Sequence, residues 1–328
     1  MAFANVSDIV ATTIESRRKS IRDNVTKNNG LLTYLDKRGN IKVTGGSVIY
    51  EEISFQENGN AGFYSGYDLL PVAAQDVISA AQFNLKQAAC PVTISGLEML
   101  QNSGNEQMVD LLESRISVAE GSMANLLAAG IYSAGTGFGG KQITGLDAAV
   151  ESTITASQTS TYGGISRTTW PFWRNYSTGS VTLPTNTTIQ GLMNTAWAKL
   201  VRGSDHPDLI VMDNNYWSAF VGSLQLIQRL TDPTKAKLGF QALDFMGADV
   251  ILDGGIGGYA YTNSTTGGSM YFLNTKYIYW RPHKDRNMVP LSPSRRYSVN
   301  QDAETTILAW AGNLTCAGPQ FQGRVFTT

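Results

Sequence analysis

Tyr162-Gly-Gly-Ile-Ser-Arg-Thr-Thr-Trp-Pro-Phe-Trp-Arg174 places four aromatic rings and two arginines in one short run. Neither the strand period of two nor the helical period of 3.6 runs through it, so it is an irregular segment. A stretch that follows no period yet carries Arg167, Trp170, Phe172, Trp173 and Arg174 has the composition of an interface anchor. It is not a catalytic composition. Two readings stay open from residue types alone: the rings tuck into the body of the chain itself, or they are offered to another subunit.

Downstream, periodicity returns. Ile189, Leu192/Met193, Ala196/Trp197 and Leu200 recur at helical spacing. Asp208 to Met212 reads as a buried strand and Asn214 to Leu224 as a short helix, with further strands at Asp249–Leu252 and Met270–Trp280. Helices alternating with apolar strands predict a mixed α/β unit over about 145–280. The tail from Tyr297 to Phe326 alternates like a strand and is expected to return to the long helix described next.

Upstream, Ser103-Gly-Asn-Glu106 is a capping box. Met108, Leu111/Leu112, Ile116, Ala119, Met123, Leu126/Leu127 and Ile131 then keep helical spacing, predicting one helix over 103–134 of about 40 Å. Gly135-Thr-Gly-Phe-Gly-Gly140 ends it. Earlier still, Val48 to Phe55 and Ile78 to Ile94 favour strand, and Glu57-Asn-Gly-Asn60 signals a turn. The segment reads as a long hairpin-like arm with an irregular tip at Gly62–Tyr67, reaching up to roughly 60 Å if fully extended. Val10, Ile14, Arg17/Arg18, Ile21 and Val25 recur every three to four residues and predict an amphipathic helix over about 7–28, closed by Asn28-Asn29-Gly30, with a basic polar face.

Charge is distributed in blocks. Residues 1–42 hold eight Lys/Arg against four acids, a balance of +4, whereas 43–85 hold no Lys or Arg against Glu51, Glu52, Glu57, Asp68 and Asp76, a balance of −5. Residues 281–296 return to +4, with Arg281, Lys284, Arg286, Arg295 and Arg296 against Asp285. Over the whole chain of 328 residues, 25 basic and 26 acidic side chains nearly cancel, which argues against a dedicated nucleic-acid binder. Charged residues make up only 16%, well under the roughly 25% usual in globular chains, so part of the surface is expected to be covered by something else. No basic cap leads into an apolar run at the start, and no long apolar run occurs anywhere, so the expectation is synthesis and assembly in a cytosol, with Cys90 and Cys316 reduced.

Chemistry is sparse. Gly135–Lys141 approaches a glycine-rich phosphate loop, but a helix precedes it where a strand is needed, and Gln142 stands where Ser or Thr would hold magnesium. His206 and His283 adjoin prolines and lack metal-ligand spacing. Asp205, Asp208 and Asp213 read as strand-end carboxylates before they read as a cation site. No nucleophile has a well-placed base. No cofactor, metal or catalytic residue is expected.

The aromatic block resembles one carried by major capsid proteins of tailed bacteriophages. Further stretches resemble that family in the same order: Pro207–Met212, Ser223-Leu224-Gln225 leading to Gln228-Arg229, Gly247–Ile251, and Tyr271–Tyr277. The resemblance implies an α+β shell fold shared with herpesvirus floor domains and encapsulins. It implies an N-terminal arm (1–42), an extended loop (43–85), a peripheral domain (86–144, with the spine helix, joined by 281–328) and an axial domain (145–280). It also implies self-assembly into an icosahedral shell of hexamers and pentamers that encloses double-stranded DNA without reading its sequence. Implied partners are a portal, decoration proteins and a scaffold; no scaffolding extension precedes the arm, so a separate scaffolding protein is expected, and no membrane. The implied location is the virion capsid, assembled in the host cytoplasm. No lysine lies between Lys42 and Lys86, so a covalent crosslink through the loop is not expected. Candidate assembly contacts are Arg17, Arg18, Arg22, Glu51, Glu52, Glu57, Phe63, Tyr64, Tyr67, Arg167, Trp170, Trp173, Arg174, Arg281, Arg286, Arg295 and Arg296. The acidic loop is expected to lie across a neighbour's basic arm or 281–296 segment. The alternatives are an encapsulin-type shell around protein cargo and an α/β enzyme using the 135–141 loop.

Overall fold

The computed structural model describes residues 29–43, 45–101, 105–180, 182–224, 242–253, 268–291, 296–298 and 301–327. The basic helix expected over 7–28, with Arg17, Arg18 and Arg22, lies outside the described residues, as do Ser103 of the capping box, Arg295 and the side chain of Arg296.

The chain enters at α1 (Gly30–Lys37), where the sequence reading had placed a helix stop. Asn29 accepts a hydrogen bond from Leu32 N at 3.0 Å and starts a helix instead, because an asparagine caps an N-terminus as readily as it breaks a chain. Leu31, Leu32 and Leu35 then supply a buried stripe.

Strands β1 (Val48–Ser54) and β2 (Ile78–Asn84) form an antiparallel ladder in register from Val48↔Asn84 to Ser54↔Ile78. The ladder has seven pairs, about 24 Å of strand, and residues 55–77 beyond it are irregular, so the regular arm is much shorter than full extension allows. After Leu85 the chain continues as β3 (Lys86–Ser95), a separate strand where the sequence suggested one run to Ile94. Helix α2 (Asn105–Ile131) follows, 27 residues and about 40 Å long. Its Ile116, Met123, Leu127 and Ile131 are buried. Gly135, at φ +77°, turns the chain away in a conformation costly for any residue with a Cβ.

Small strands β4 (Thr161–Tyr162) and β5 (Ile165–Ser166) sit inside the aromatic block, followed by β6 (Tyr176–Ser180). Helix α3 (Ile189–Leu200), β7 (Leu209–Met212), α4 (Asn214–Leu224), β8 (Ala242–Phe245), β9 (Ala248–Leu252) and β10 (Ser269–Leu273) come next. The strand expected over 270–280 is broken. Asp208 accepts from Thr275 N at 2.8 Å and Thr275 Oγ1 at 2.6 Å, and this holds a single 3-10 turn between β10 and β11 (Ile278–Pro290). Finally come β12 (Arg296–Ser298), β13 (Gln301–Cys316) and β14 (Gly323–Thr327).

Two sheets organise the body. In the first, β13 pairs with β3 along one edge and with β11 and β12, at successive stretches, along the other. The second has six strands in the order β6-β14-β10-β7-β9-β8. The chain's last strand therefore sits in the middle of the sheet built by 176–273, and does not stay with the 281–316 strands beside the long helix, as the tail had been expected to. Alternate residues of the six-stranded sheet face two cores. Ile210, Met212, Val250, Met270 and Phe272 pack against α3 and α4, while Leu209, Val211, Ile251, Tyr271 and Leu273 join the main core with α2. Both faces are covered, and so all four residues of β7 are buried.

Candidate assembly interface

The hairpin divides into a root and a tip, which the fold treats in opposite ways. At the root, Ile49, Glu51 and Ile53 of β1 face inward, as do Ala81 and Phe83 of β2. Glu51 is 6% exposed. It accepts from Arg281 Nε at 2.8 Å and Nη2 at 2.9 Å, and from Thr315 Oγ1 at 2.7 Å. The two-pronged pairing fixes β1 to β11 and β13, with the Arg281 guanidinium also 5.1 Å from the Tyr279 ring centre. The expected link between the acidic loop and the 281–296 segment therefore exists within one chain for this pair. Burial of the carboxylate demands a partner, and β11 supplies one at hydrogen-bond distance.

The aromatic block forms the other wall of the root. Gln82 N donates to Gly163 O at 2.9 Å, and Gly163 holds φ +59° so closely under the hairpin that a Cβ there would lie 2.9 Å from Ala81 and Phe83. Phe83 meets Tyr162 edge-on at 5.1 Å, and Phe55 meets Trp170 edge-on at 5.4 Å. Ile53, Phe55, Ser79, Ile165, Trp170 and Phe172 line an apolar cleft between hairpin and block.

Within the block, Arg167 and Trp173 are buried. Trp173 Nε1 donates to Tyr162 O at 2.9 Å, and Arg167 donates to Trp173 O, Ser160 Oγ, Ala148 O and Ala149 O while pairing with Glu151 at 3.0 Å. Burial pulls the Arg167 guanidinium below its ordinary value, opposed by the Glu151 charge. A guanidinium with every prong spent on its own loop has none left over for another partner. Arg174 likewise turns inward, with Nε on Arg167 O at 2.8 Å. Trp170 remains 43% exposed.

The tip is bare. From Gln56 to Asp76 almost every side chain is exposed, including Phe63, Tyr64 and Tyr67. Leu69, Leu70 and Val72 extend the same apolar surface beyond the aromatic Gly62–Tyr67 run, which alone stands out by composition. Six large apolar side chains in ten residues exceed the scattered exposure normal on a monomer. Local bonds shape the segment without covering it: Ser65 N donates to Asp68 Oδ2 at 2.8 Å, and Asn60 Nδ2 donates to Ala73 O at 2.5 Å. Glu52 and Glu57 are exposed near its base, and Arg286 is exposed on β11 with Nη1 on Gln87 at 3.0 Å.

Among the described residues, the groups with chemical potential are spent on structure. Phe138 and Gly139 take left-handed conformations inside the glycine-rich loop, no sustained helix follows it, and Lys141 is exposed. Asp205 pairs with Lys276 and Tyr277, Asp208 holds Thr275, and Asp213 accepts from Tyr216 N, so the three carboxylates serve separate elements. Among the described residues no cluster of metal-ligating side chains occurs and no helix is long and apolar enough to cross a membrane. Cys90 and Cys316 are unbridged, and burial pushes the Cys316 thiol up to about 12.

No protein-family model and no curated protein sequence matches the chain. Solved structures do. The chain is similar to a protein of the cyanophage A-1(L) capsid asymmetric unit, at 18% identity and a TM-score of 0.67, with 88% of this chain and 89% of that one covered. It is similar to a capsid protein of a native GTA particle, at 11% identity and a TM-score of 0.57, covering 90% and 89%. It is also similar to the SrpI encapsulin of Synechococcus elongatus, at 7% identity and a TM-score of 0.50, covering 89% and 87%. With nearly the whole length superposed in each case, the chain has the α+β shell fold of phage capsid proteins and encapsulin.

Proposed function

We propose that this chain is a major capsid protein that assembles with copies of itself, as hexamers and pentamers, into an icosahedral shell enclosing double-stranded DNA, and that it performs no catalysis. The observation that carries the reading is the hairpin tip, whose apolar side chains from Phe63 to Val72 have no cover on their own body. The likeness to phage capsid structures supports the shell role. The near balance of basic and acidic side chains fits a container that does not bind DNA by wholesale neutralisation.

In this reading 1–42 is an arm, 43–85 the extended loop, 86–144 with 281–328 a peripheral domain and 145–280 an axial domain, with the final strand crossing from the former into the latter. Tip residues Phe63, Tyr64 and Tyr67, with Leu69, Leu70 and Val72, supply the main hold on a neighbour. Exposed Glu52 and Glu57 steer its register against basic groups such as Arg286 and the arm arginines, each rim pair contributing about 0 to 1 kcal/mol. A scaffolding protein, a portal and decoration proteins complete the assembly in the host cytoplasm, and the mature location is the virion.

An encapsulin-type shell around protein cargo is the second reading, favoured by the likeness to SrpI encapsulin. Negative-stain microscopy and sizing of the expressed chain test the first. Closed particles hundreds of ångströms across are expected; a monomer or dimer on the sizing column would refute both shell readings. Particles that carry a packed enzyme and exclude nucleic acid would favour the second.

A further inference from the structure

The chain contains two Asn-Gly pairs, Asn29-Gly30 and Asn58-Gly59, and the fold places them in opposite environments. Asn29 is fully buried, with its Oδ1 fixed by Leu32 N at 3.0 Å at the start of α1. Asn58 and Gly59 are both exposed at the beginning of the hairpin tip. Asn58 Oδ1 accepts from Asn60 N at 3.0 Å, an arrangement that folds the carboxamide back over the Gly59 peptide. Asn60 is itself held, its side chain on Ala73 O at 2.5 Å, and Ala61 N donates to Asn58 O at 3.0 Å. No described residue holds Asn58 Nδ2.

We propose that Asn58 is a site of spontaneous deamidation, a self-modification needing only water. The Gly59 nitrogen gives up its proton to solvent and bonds to Asn58 Cγ; the Cγ–Nδ2 bond breaks and the amide nitrogen leaves as ammonia. Water then opens the cyclic imide at either carbonyl, leaving aspartate or isoaspartate at position 58. One water enters, one ammonia departs and nothing is oxidised or reduced. Three features favour attack here. Glycine presents an unhindered nitrogen. The Asn60 amide already sits on the oxygen where negative charge develops. Solvent reaches both residues. At Asn29 the same chemistry first requires opening the start of a helix. The product raises the acidic count of residues 43–85 from five to six with still no basic residue to offset it.

Peptide mapping by mass spectrometry of the full chain, held in mildly alkaline buffer, tests this. In folded protein, Asn58 is expected to convert at least about tenfold faster than Asn29, while in denatured protein the two converge. Gly59→Ala is expected to slow Asn58 by about tenfold or more, because the new methyl hinders the attacking nitrogen. That variant fits the fold: Gly59 is not among the left-handed glycines, and a Cβ there meets only Gln75, at 3.4 Å. Equal rates at the two sites in folded protein, or an unchanged rate in Gly59→Ala, would overturn the proposal. A further arm rests on the shell reading: particles should convert more slowly than free subunits, since a neighbour covers the tip. Equal rates in particles and subunits would overturn that cover while leaving the chemistry at Asn58 standing.

Discussion

The root and the tip of one hairpin differ in who buries them. Root residues alternate in and out along β1 and β2, and each inward side chain meets a partner from the same chain: Glu51 with Arg281 and Thr315, Phe83 with Tyr162, Ala81 with the close-lying Gly163. A few residues further out, Phe63, Tyr64, Tyr67, Leu69, Leu70 and Val72 are each more than half exposed. At about 25 cal/mol per Å² of apolar area, leaving such a surface in water forgoes several kcal/mol. On the proposed reading, a chain that spends Arg167 and Trp173 on anchoring the root and leaves the tip bare presents that tip to a neighbour.

Substitutions can break this contrast from the root side. Trp173→Ala removes a buried indole and its hydrogen bond to Tyr162, and a loss of about 3 to 5 kcal/mol in denaturant unfolding is expected. A loss under about 1 kcal/mol would mean that the block does not anchor the body. Arg281→Met strands a buried Glu51 and should cost about 3 kcal/mol, whereas Glu51→Gln combined with Arg281→Met should recover much of it. Strict additivity in that double-mutant cycle would show that the pair is not coupled.

Much of this was legible in the sequence, and the limits have physical causes. Ile189, Met193, Ala196 and Leu200 mark α3 because one face of that helix meets a sheet. The long helix was equally clear from Ile116, Met123, Leu127 and Ile131. The break after Leu273 was hidden, because only the three polar residues Asn274, Thr275 and Lys276 interrupt an otherwise strand-favouring run, and the turn is imposed by Asp208, far away in sequence. The return of Gly323–Thr327 to the six-stranded sheet is a long-range pairing that no local period encodes. For the aromatic block, residue types left two readings open. Burial resolves Arg167 and Trp173 toward the chain's own body and leaves Trp170 partly exposed. Exposure of the tip could be read from its irregular, glycine-bearing sequence, but the extent of its apolar surface could not.

A smaller effect sharpens the picture of the body. Burial raises the Asp253 carboxyl above its ordinary range, against the hydrogen bond that Tyr132 donates to it. The folded chain therefore holds this proton more tightly than the unfolded one, so the stability tied to it is full at low pH. It is lost as pH rises from about 4 through the folded value. Asp253→Asn should flatten that part of the stability profile, measured as the difference from wild type across mildly acidic pH. An identical profile would place the group in water. Least of all should the tip matter to the single chain: Phe63→Ser, Tyr64→Ser and Tyr67→Ser together should change unfolding free energy by no more than about 0.5 kcal/mol. The same triple variant should fail to form particles.

Hydrogen exchange at the backbone amides of 48–84, compared between dilute subunits and assembled particles, tests the central claim most directly. The β1–β2 ladder should be protected in both states, and the amides of 55–77 should be slow only in particles. Protection of 55–77 already present in the lone subunit, or fast exchange there in both states, would contradict a tip whose cover comes from another copy.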